Sequence, residues 1–388
     1  MEEAVIVSAV RSPVGKGKKD GAFAGTHPAI LTARVIAAAV EKSGVRKEDI
    51  DDVIMGCAMP EASQGLNMAR LATLKAGLPV EVSATTVNRF CSSGLQTIAL
   101  GAQGIMSGMI DTAVTGGFEM MSQVPMSGYH TRLHPELTES YIGMGFTAER
   151  VAERWKVSRE DQDAFAVESQ RKAAAAWQKG VFAGEIVPIE VEQVTWNGAE
   201  KQEKTVVVDR DELVRPDTTM QGLAKLKPAF KQNGTVTAGN ASPYSDGAAA
   251  LVLTSRSKAE AEGLTILARF VNFATSGVDP DIMGIAPIKA VPKVLERARM
   301  SLDDIDLIEM NEAFAAQALA VARVLGMDMA QLNVNGGAIA LGHPLGATGG
   351  KLATQLIHEL RRRGGGMGMV TMCVGGGMGA AGIFENLN

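Results

Sequence analysis

The sequence predicts an α/β protein: a largely parallel, buried sheet, a duplicated β/α unit and an insertion in the middle. Three observations predict it. Strand-like and helix-like segments alternate through the first third and again after about residue 270. The second run echoes the first 255 positions on. KEDIDDVIMG (47–56) matches LDDIDLIEMN (302–311), with Asp49 on Asp304 and Ile50 on Ile305, and CSSGLQ (91–96) falls on GATGGK (346–351), with Gly94 on Gly349. The stretch between, roughly 121–247, is richer in charge and turn residues.

The elements follow in order. AVIVSAV near the start reads as a strand, and PAILTARVIAAAVEKSG as a helix that stops at Gly44. DDVIMGC is a strand, QGLNMARLATLKAG (64–77) a helix and SATTVNRF a strand. A helix runs from Cys91 to about Ser107, with Leu95, Ile98, Ala99, Ala102, Ile105, Met106 and Met109 forming an apolar stripe. DTAVTGG is the next strand. In the middle, EDQDAFAVESQRKAAAAWQK is one clear helix, with Ser158 and Asp161 as a capping box and Gly180 as its stop. VTWNGAEKQEKTVV reads as an exposed hairpin or loop. The strands before GGFE (116–119) and CVGGGMG (373–379) correspond across the repeat with a slip of a few residues. The echo predicts pseudo-twofold symmetry, with the Cys91 helix start and the GHPLGATG loop meeting near the axis.

Composition limits the function. The chain has 388 residues, 46% hydrophobic and 21% charged, which suits two or three packed units. A net charge of −5, spread along the chain, leaves no nucleic-acid footprint. The start lacks a basic segment and a long apolar run, and no apolar stretch reaches the roughly 20 residues of a membrane span. Three cysteines argue against a disulfide framework and for a reducing compartment, hence a cytoplasmic protein.

Cys91 sits at a predicted helix N-terminus, where unpaired N–H groups favour an anion and lower a thiol pKa toward neutrality. It fits equally well as a small buried hydrophobe. Cys373 ends the strand MGMVTMCV and opens into GGGMGAAG, whose glycines let backbone N–H groups approach a ligand. Gly377, Gly379 and Gly382 spell GxGxxG, but too little chain follows for a dinucleotide fold, and GHPLGATGGK has Leu345 and Leu352 where a phosphate loop needs Gly and Ser or Thr. His343, in a glycine-rich loop, is the histidine placed to protect a thiolate. His358 reads as a solvated helix face. His27, His130 and His134 lie in loops. Asn311, between a strand and a helix, reads first as an N-cap and second as a polar donor. No Cys or His pair has metal-ligand spacing.

With Cys91 in NRFCSSGLQ, Asn311 in NEAF, His343 in GHPLGATG and Cys373 in CVGGGMG, the chain resembles the thiolase family from AVIVSAVRSPVGK to its last strand. GTVTAGNASPYSDGAAAL (234–251) looks like that family's coenzyme A segment. The resemblance implies two duplicated five-layer α/β/α/β/α halves with a loop domain between them. Residues 1–120 and 248–272 would form the first half, 121–247 the coenzyme A-binding loop domain and 273–388 the second half. It implies Cys91 as the nucleophile that takes the acyl group. His343 would activate Cys91 and, with a water held by Asn311, hold a thioester oxygen. Cys373 would transfer the proton, and the backbone N–H groups of Cys91 and Gly375 would form a second oxyanion hole. Arg215 and Ser242 would contact coenzyme A, while Met144 and Phe314 line the pantetheine and acyl pocket. Gly222 stands where some relatives carry serine.

The implied activity is thiolytic cleavage of 3-ketoacyl-CoA in fatty acid β-oxidation, with acyl-CoA and coenzyme A as substrates and no permanently bound cofactor or metal. The alternative is an acetoacetyl-CoA-specific biosynthetic acetyltransferase. NRFCSSGLQ, and Gly143 where short-chain enzymes carry histidine, favour the degradative type and longer acyl chains. A ketoacyl-synthase-like enzyme has the wrong residue in Cys373, and a non-catalytic acyl-CoA or lipid binder would not keep all four reactive positions. Lys225, Lys227 and Lys231 in RPDTTMQGLAKLKPAFKQ are basic enough to meet phosphates, at least one of them being simply solvated. By analogy the protein is a homodimer or homotetramer.

Overall fold

The computed structural model describes residues 2–126, 128–129, 133–197 and 200–386. The first set of elements is β1 (Ala4–Arg11), the short β2 (Gly15–Lys16), α1 (Pro28–Ser43), β3 (Asp52–Gly56), α2 (Met68–Lys75), β4 (Ser83–Val87), α3 (Ser93–Met106) and β5 (Thr112–Met120). Next come α4 (Met144–Arg154), α5 (Arg159–Gln178), β6 (Ile189–Asn197), β7 (Glu200–Val208) and α6 (Met220–Ala224), then β8 (Ser245–Ser255) and α7 (Arg256–Ala261). The second set is β9 (Ala268–Gly277), α8 (Pro287–Ala298), β10 (Leu307–Met310), α9 (Ala315–Leu325), α10 (Ala338–Leu341), α11 (Thr348–Arg362), β11 (Gly366–Val374) and β12 (Met378–Asn386).

Local chemistry explains most boundaries. Pro28 starts α1 behind His27, whose Nδ1 accepts the Ala29 N–H at 3.2 Å, and Gly44 ends it at φ 75°. Ser158 Oγ accepts the Asp161 N–H at 3.0 Å to start α5. Two helices begin later than their sequence pattern. α2 waits for Asn67, whose Oδ1 caps Arg70, because Leu66 turns the backbone to φ 58°. A 3₁₀ turn, Phe90–Ser92, precedes α3, so Cys91 lies in the turn and not in the helix. The expected hairpin is β6–β7, with residues 198–199 of its tip outside the described residues.

The main sheet runs β10-β11-β12-β9-β1-β8-β5-β3-β4, with β2 on β8. It is mixed, not largely parallel. Only β3–β4, β3–β5 and β10–β11 pair in parallel; the strands between β5 and β11 pair antiparallel. The duplication keeps the 255-residue offset at two element starts: β3 and β10 begin at 52 and 307, and α3 and α11 at 93 and 348. The seam between the copies is the short β1–β9 pairing of Val5 with Arg269 and Ile6 with Ala268. A boundary at 272/273 would cut β9, which pairs along its length with β12; the second set starts before Ala268. Where the second copy joins β11 to β12 by a tight glycine turn, the first sends the chain out from β5 and recovers it at β8. That detour is the insertion.

Five layers result. α1 and α2 cover the first part of the sheet through Leu31, Val35, Val53, Met55 and Val114. α3 and α11 fill the centre through Leu95, Ile98, Leu352, Leu356 and Val370. α8 and α9 cover the second part through Val291, Val294, Val321, Met369 and Ile383. The central helices start in contact. A Cβ on Gly94 would lie 2.8 Å from Gly346 O, and one on Gly349 2.1 Å from Leu95 N. Glycine at both places lets the two N-terminal turns touch.

Candidate active site

Side-chain bonds shape the turn that carries Cys91. Asn88 Oδ1 accepts the Phe90 N–H at 2.7 Å, and its Nδ2 donates to Ala58 O at 3.1 Å. Ser93 Oγ accepts the Arg89 N–H at 2.9 Å and donates to Phe90 O at 2.6 Å. Phe90 is held at φ 42°. Cys91 is thereby turned inward among Ala58, Met121 and Leu345. The N–H groups of Gly375 and of Cys91 itself act on its sulfur. Burial outweighs both and pushes the thiol up to about 11. The expected drop toward neutrality is therefore absent in the free protein, because burial dominates over the helix terminus.

His343 stands opposite, between α10 and α11. Gly342, at φ 89°, brings the loop against Ser245, whose Oγ accepts the His343 N–H at 3.0 Å. The ring lies between two side chains: Nε2 is 3.2 Å from Asn311 Nδ2 and Nδ1 is 2.6 Å from Thr348 Oγ1. Burial first, and the Lys351 charge second, pull the imidazole down to about 3, so it is neutral. Asn311 is not a helix cap. Its N–H bonds Thr371 O at 3.0 Å, α9 begins only after Phe314, and its buried Oδ1 has no hydrogen-bond partner. The first of the two roles open for it in the sequence, the helix cap, is thereby ruled out.

Cys373 ends β11 and is fully buried beside Met144, Met283, Ala313 and Phe314. Burial, and then the nearby Cys91, push its thiol well up. The following turn has Gly376 at φ 76° and Gly377 at φ 79°; a Cβ on Gly375 would meet nothing nearer than 3.9 Å, from Met144 and Phe90. The turn therefore has open space at Gly375, whose N–H points to the Cys91 sulfur. Cys91, Gly375 and Cys373 come together here, and Asn311 and His343 bond to each other.

Sequence reasoning missed Glu119, at the end of β5. Its carboxylate accepts from Ala58 N (2.8 Å), Met59 N (3.3 Å), Gly346 N (2.9 Å) and Gln64 Nε2 (2.8 Å). It straps the floor beneath Cys91 to the loop that carries His343. The available signal was a carboxylate ending a buried apolar strand.

The residues expected at coenzyme A divide. Met144 and Phe314 join the Cys373 cluster, and the half-buried Ser242 donates its N–H to Ala313 O at 3.0 Å beside them. Phe230 stacks edge-on against Phe314 at 6.2 Å and borders a surface cavity of about 380 Å³ lined by Lys227–Asn233. Arg215 is exposed, its N–H held by Gln170 Oε1 at 2.7 Å. Lys225 and Lys227 are exposed; Lys231 pairs with Glu153 at 3.0 Å. Gly222 lies in α6. His358 is not a solvated side chain: its Nε2 bonds Ala9 O on β1 at 3.0 Å. His27 and His134 cap helical turns, and His130 lies outside the described residues. Among the described residues no group of three or more His, Cys, Asp or Glu could hold a metal, and no helix is long and apolar enough to cross a membrane.

Comparison with known proteins agrees with this layout. A family model described as Thiolase, N-terminal domain matches residues 4–257, and one described as Thiolase, C-terminal domain matches residues 264–386. The chain is 56% identical to the 3-ketoacyl-CoA thiolase of Bacillus subtilis, over 99% of this chain and 100% of that protein. It is 48% identical to the acetyl-CoA acetyltransferase of Pseudomonas aeruginosa, over 98% of each. The crystal structure of the Bacillus anthracis acetyl-CoA acetyltransferase superimposes with a TM-score of 0.91 at 42% identity, covering 100% of this chain and 99% of that one. A duplicated fold whose two copies bring these cysteines together, matched over its whole length, places the chain in the thiolase family.

Proposed function

We propose that the chain is an acyltransferase that cleaves 3-ketoacyl-CoA to acetyl-CoA and a shortened acyl-CoA, reversibly, through an acyl group on Cys91. The observation that carries the reading is the meeting of Cys91 with Cys373 and the Gly375 N–H, with neutral His343 held on the neighbouring loop whose Leu345 packs in the Cys91 cluster. Cleavage needs a nucleophile on the 3-keto carbon and an acid at the α-carbon. His343 takes the Cys91 proton, and the thiolate–imidazolium pair offsets part of the burial cost of each charge. Cys91 sulfur adds to the 3-keto carbon, and the Cys91 and Gly375 N–H groups hold the oxyanion; one such donor is typically worth about 3–4 kcal/mol. The bond between the α-carbon and the keto carbon then breaks, and Cys373 protonates the departing enolate. His343, with a water on Asn311, holds that enolate's thioester oxygen. The coenzyme A thiol then gives its proton to the Cys373 thiolate and takes the acyl group from Cys91, whose sulfur recovers the proton held on His343.

The insertion between β5 and β8 supplies the coenzyme A surface. Phe230, Phe314, Met144 and Ser242 lead from the cavity at Lys227–Asn233 toward Cys373, with Arg215 and Lys225 available to the phosphates. Coenzyme A comes as substrate, and no resident cofactor is required. The relatives named for 3-ketoacyl-CoA and for acetyl-CoA acetyl transfer support both readings; the higher identity to the first favours the degradative role. β4 ends the sheet with a half-exposed outer edge, which suits pairing with a second copy, so we read a homodimer or homotetramer. Three free cysteines suit the reducing cytoplasm.

Cys373→Ala tests the division of labour. Mass spectrometry after exposure to acetyl-CoA should find an acetyl group on Cys91, while carbon–carbon cleavage and condensation are lost. An unmodified Cys91 in that variant would mean the two cysteine roles are wrongly split.

A further inference from the structure

The Proposed function requires His343 to accept a proton at Nε2, and nothing in the glycine loop itself fixes which ring nitrogen is protonated. The hydrogen bonds behind the ring do. Thr348 has one hydroxyl proton, and Thr348 Oγ1 donates it to Pro344 O at 2.9 Å. With that proton committed, the 2.6 Å contact between Thr348 Oγ1 and His343 Nδ1 is satisfied by an N–H on Nδ1. On the far side of the ring, Nε2 lies 3.2 Å from the Asn311 side-chain amide. Thr348 is rigidly placed: it is fully buried and is the first residue of α11, the helix locked at Gly349 against α3.

We infer that Thr348 is a positioning residue that holds His343 as the Nδ1–H tautomer, leaving Nε2 without a proton of its own so that its lone pair can take the Cys91 proton. The inference rests on the acyltransferase reading of the same site. It also accounts for a side chain the four-residue mechanism does not use. The charged group that acts on the ring is Lys351, one turn along α11, and it disfavours a second proton there. The resting ring therefore carries a single proton, and the Thr348 contact is what places it on Nδ1. A hydroxyl is needed, not the threonine methyl, so serine at 348 keeps the device and valine removes it.

The test uses the full chain as wild type, Thr348→Val and Thr348→Ser. Thiolysis of acetoacetyl-CoA and the rate of Cys91 alkylation by iodoacetamide are measured from pH 6 to pH 10. Thr348→Val should lose up to about 10⁴-fold in kcat, the size of loss known for a catalytic histidine left in the wrong tautomer. Its alkylation should be slow at pH 7 and return to the wild-type rate at high pH, where the thiol ionises unaided. Thr348→Ser should stay within about fivefold of wild type on both measures. A valine variant with wild-type kcat and alkylation profile overturns the inference, and so does a serine variant that falls as far as valine. Nitrogen-15 spectra of the histidine rings in the wild type give an answer even where the valine variant fails to fold. Protonation at Nδ1 of His343 supports the inference, and protonation at Nε2 sinks it. A wild type without thiolysis activity would overturn the acyltransferase reading instead, while the ring spectra would still report the tautomer.

Discussion

At the scale of single residues, the site depends on groups that are costly to bury. Glu119 is held ionisable by four hydrogen-bond donors while burial pushes its carboxyl up. Glu119→Ala leaves the Ala58, Gly346 and Gln64 donors unpaired, each costing about 1–3 kcal/mol. The variant should melt well below wild type and lose thiolysis beyond what its melting explains, because the His343 loop is released. A melt within a degree of wild type would refute this. Gly143 bears on substrate choice. It precedes α4 in a loop beside Met144, and a Cβ there would meet only Phe146, at 3.4 Å. The bare position leaves room, so 3-ketohexadecanoyl-CoA should be cleaved as well as acetoacetyl-CoA, and Gly143→His should depress the long substrate more than the short one. Turnover confined to the four-carbon substrate in the wild type would reverse the argument. Cys91 shows why residue-level reading of the sequence reached its limit. The pattern placed the thiol beside a helix start, but the apolar neighbours that raise it to about 11 come from distant segments.

At the scale of elements, α3 and α11 are the parts that meet. Glycine inside a helix ordinarily costs about 1 kcal/mol relative to alanine. Gly349→Ala should therefore be stabilising on propensity alone. Here it should destabilise by about 2 kcal/mol or more, since the new methyl overlaps Leu95 N and Gly94 C, which are backbone atoms that cannot turn aside. Denaturant unfolding measures the sign, and a more stable variant would show that the helices are free to separate. The same contact explains how a repeat visible in sequence becomes a site: register at 93 and 348 sets Cys91 and His343 on either side of one axis. Element boundaries were legible where caps are local, as at Gly44 and Ser158. They were not legible at residues 64–67 or at Cys91, where positive φ at Leu66 and Phe90 delays the helix.

At the scale of the whole molecule, buried ionisable groups set the response to pH. Asp246 is buried and its carboxyl is raised to about 7, chiefly by that burial. Raised above its unfolded value, it contributes stability in acid that is lost as pH rises from about 4 to 7. His343, lowered to about 3, acts oppositely: its contribution is present above about 6.5 and lost as pH falls toward 3. The two slopes offset each other between pH 4 and 6.5. Asp246→Asn removes one, so the stability of the variant relative to wild type should grow by about 3–4 kcal/mol between pH 4 and pH 7. A difference that does not change with pH would show that Asp246 titrates normally. The sequence by itself determined the α/β class, the duplication, the insertion and the family. Those follow from periodicity, from an offset repeat and from motifs, all of which are local or self-comparing. Only the tertiary structure decided that the sheet is mixed, that Asn311 and Thr348 flank the His343 ring and that Glu119 ties the segment at Ala58 to the loop at Gly346. It also decided that both thiols rest protonated, because desolvation and hydrogen-bond partners are set by segments hundreds of residues apart.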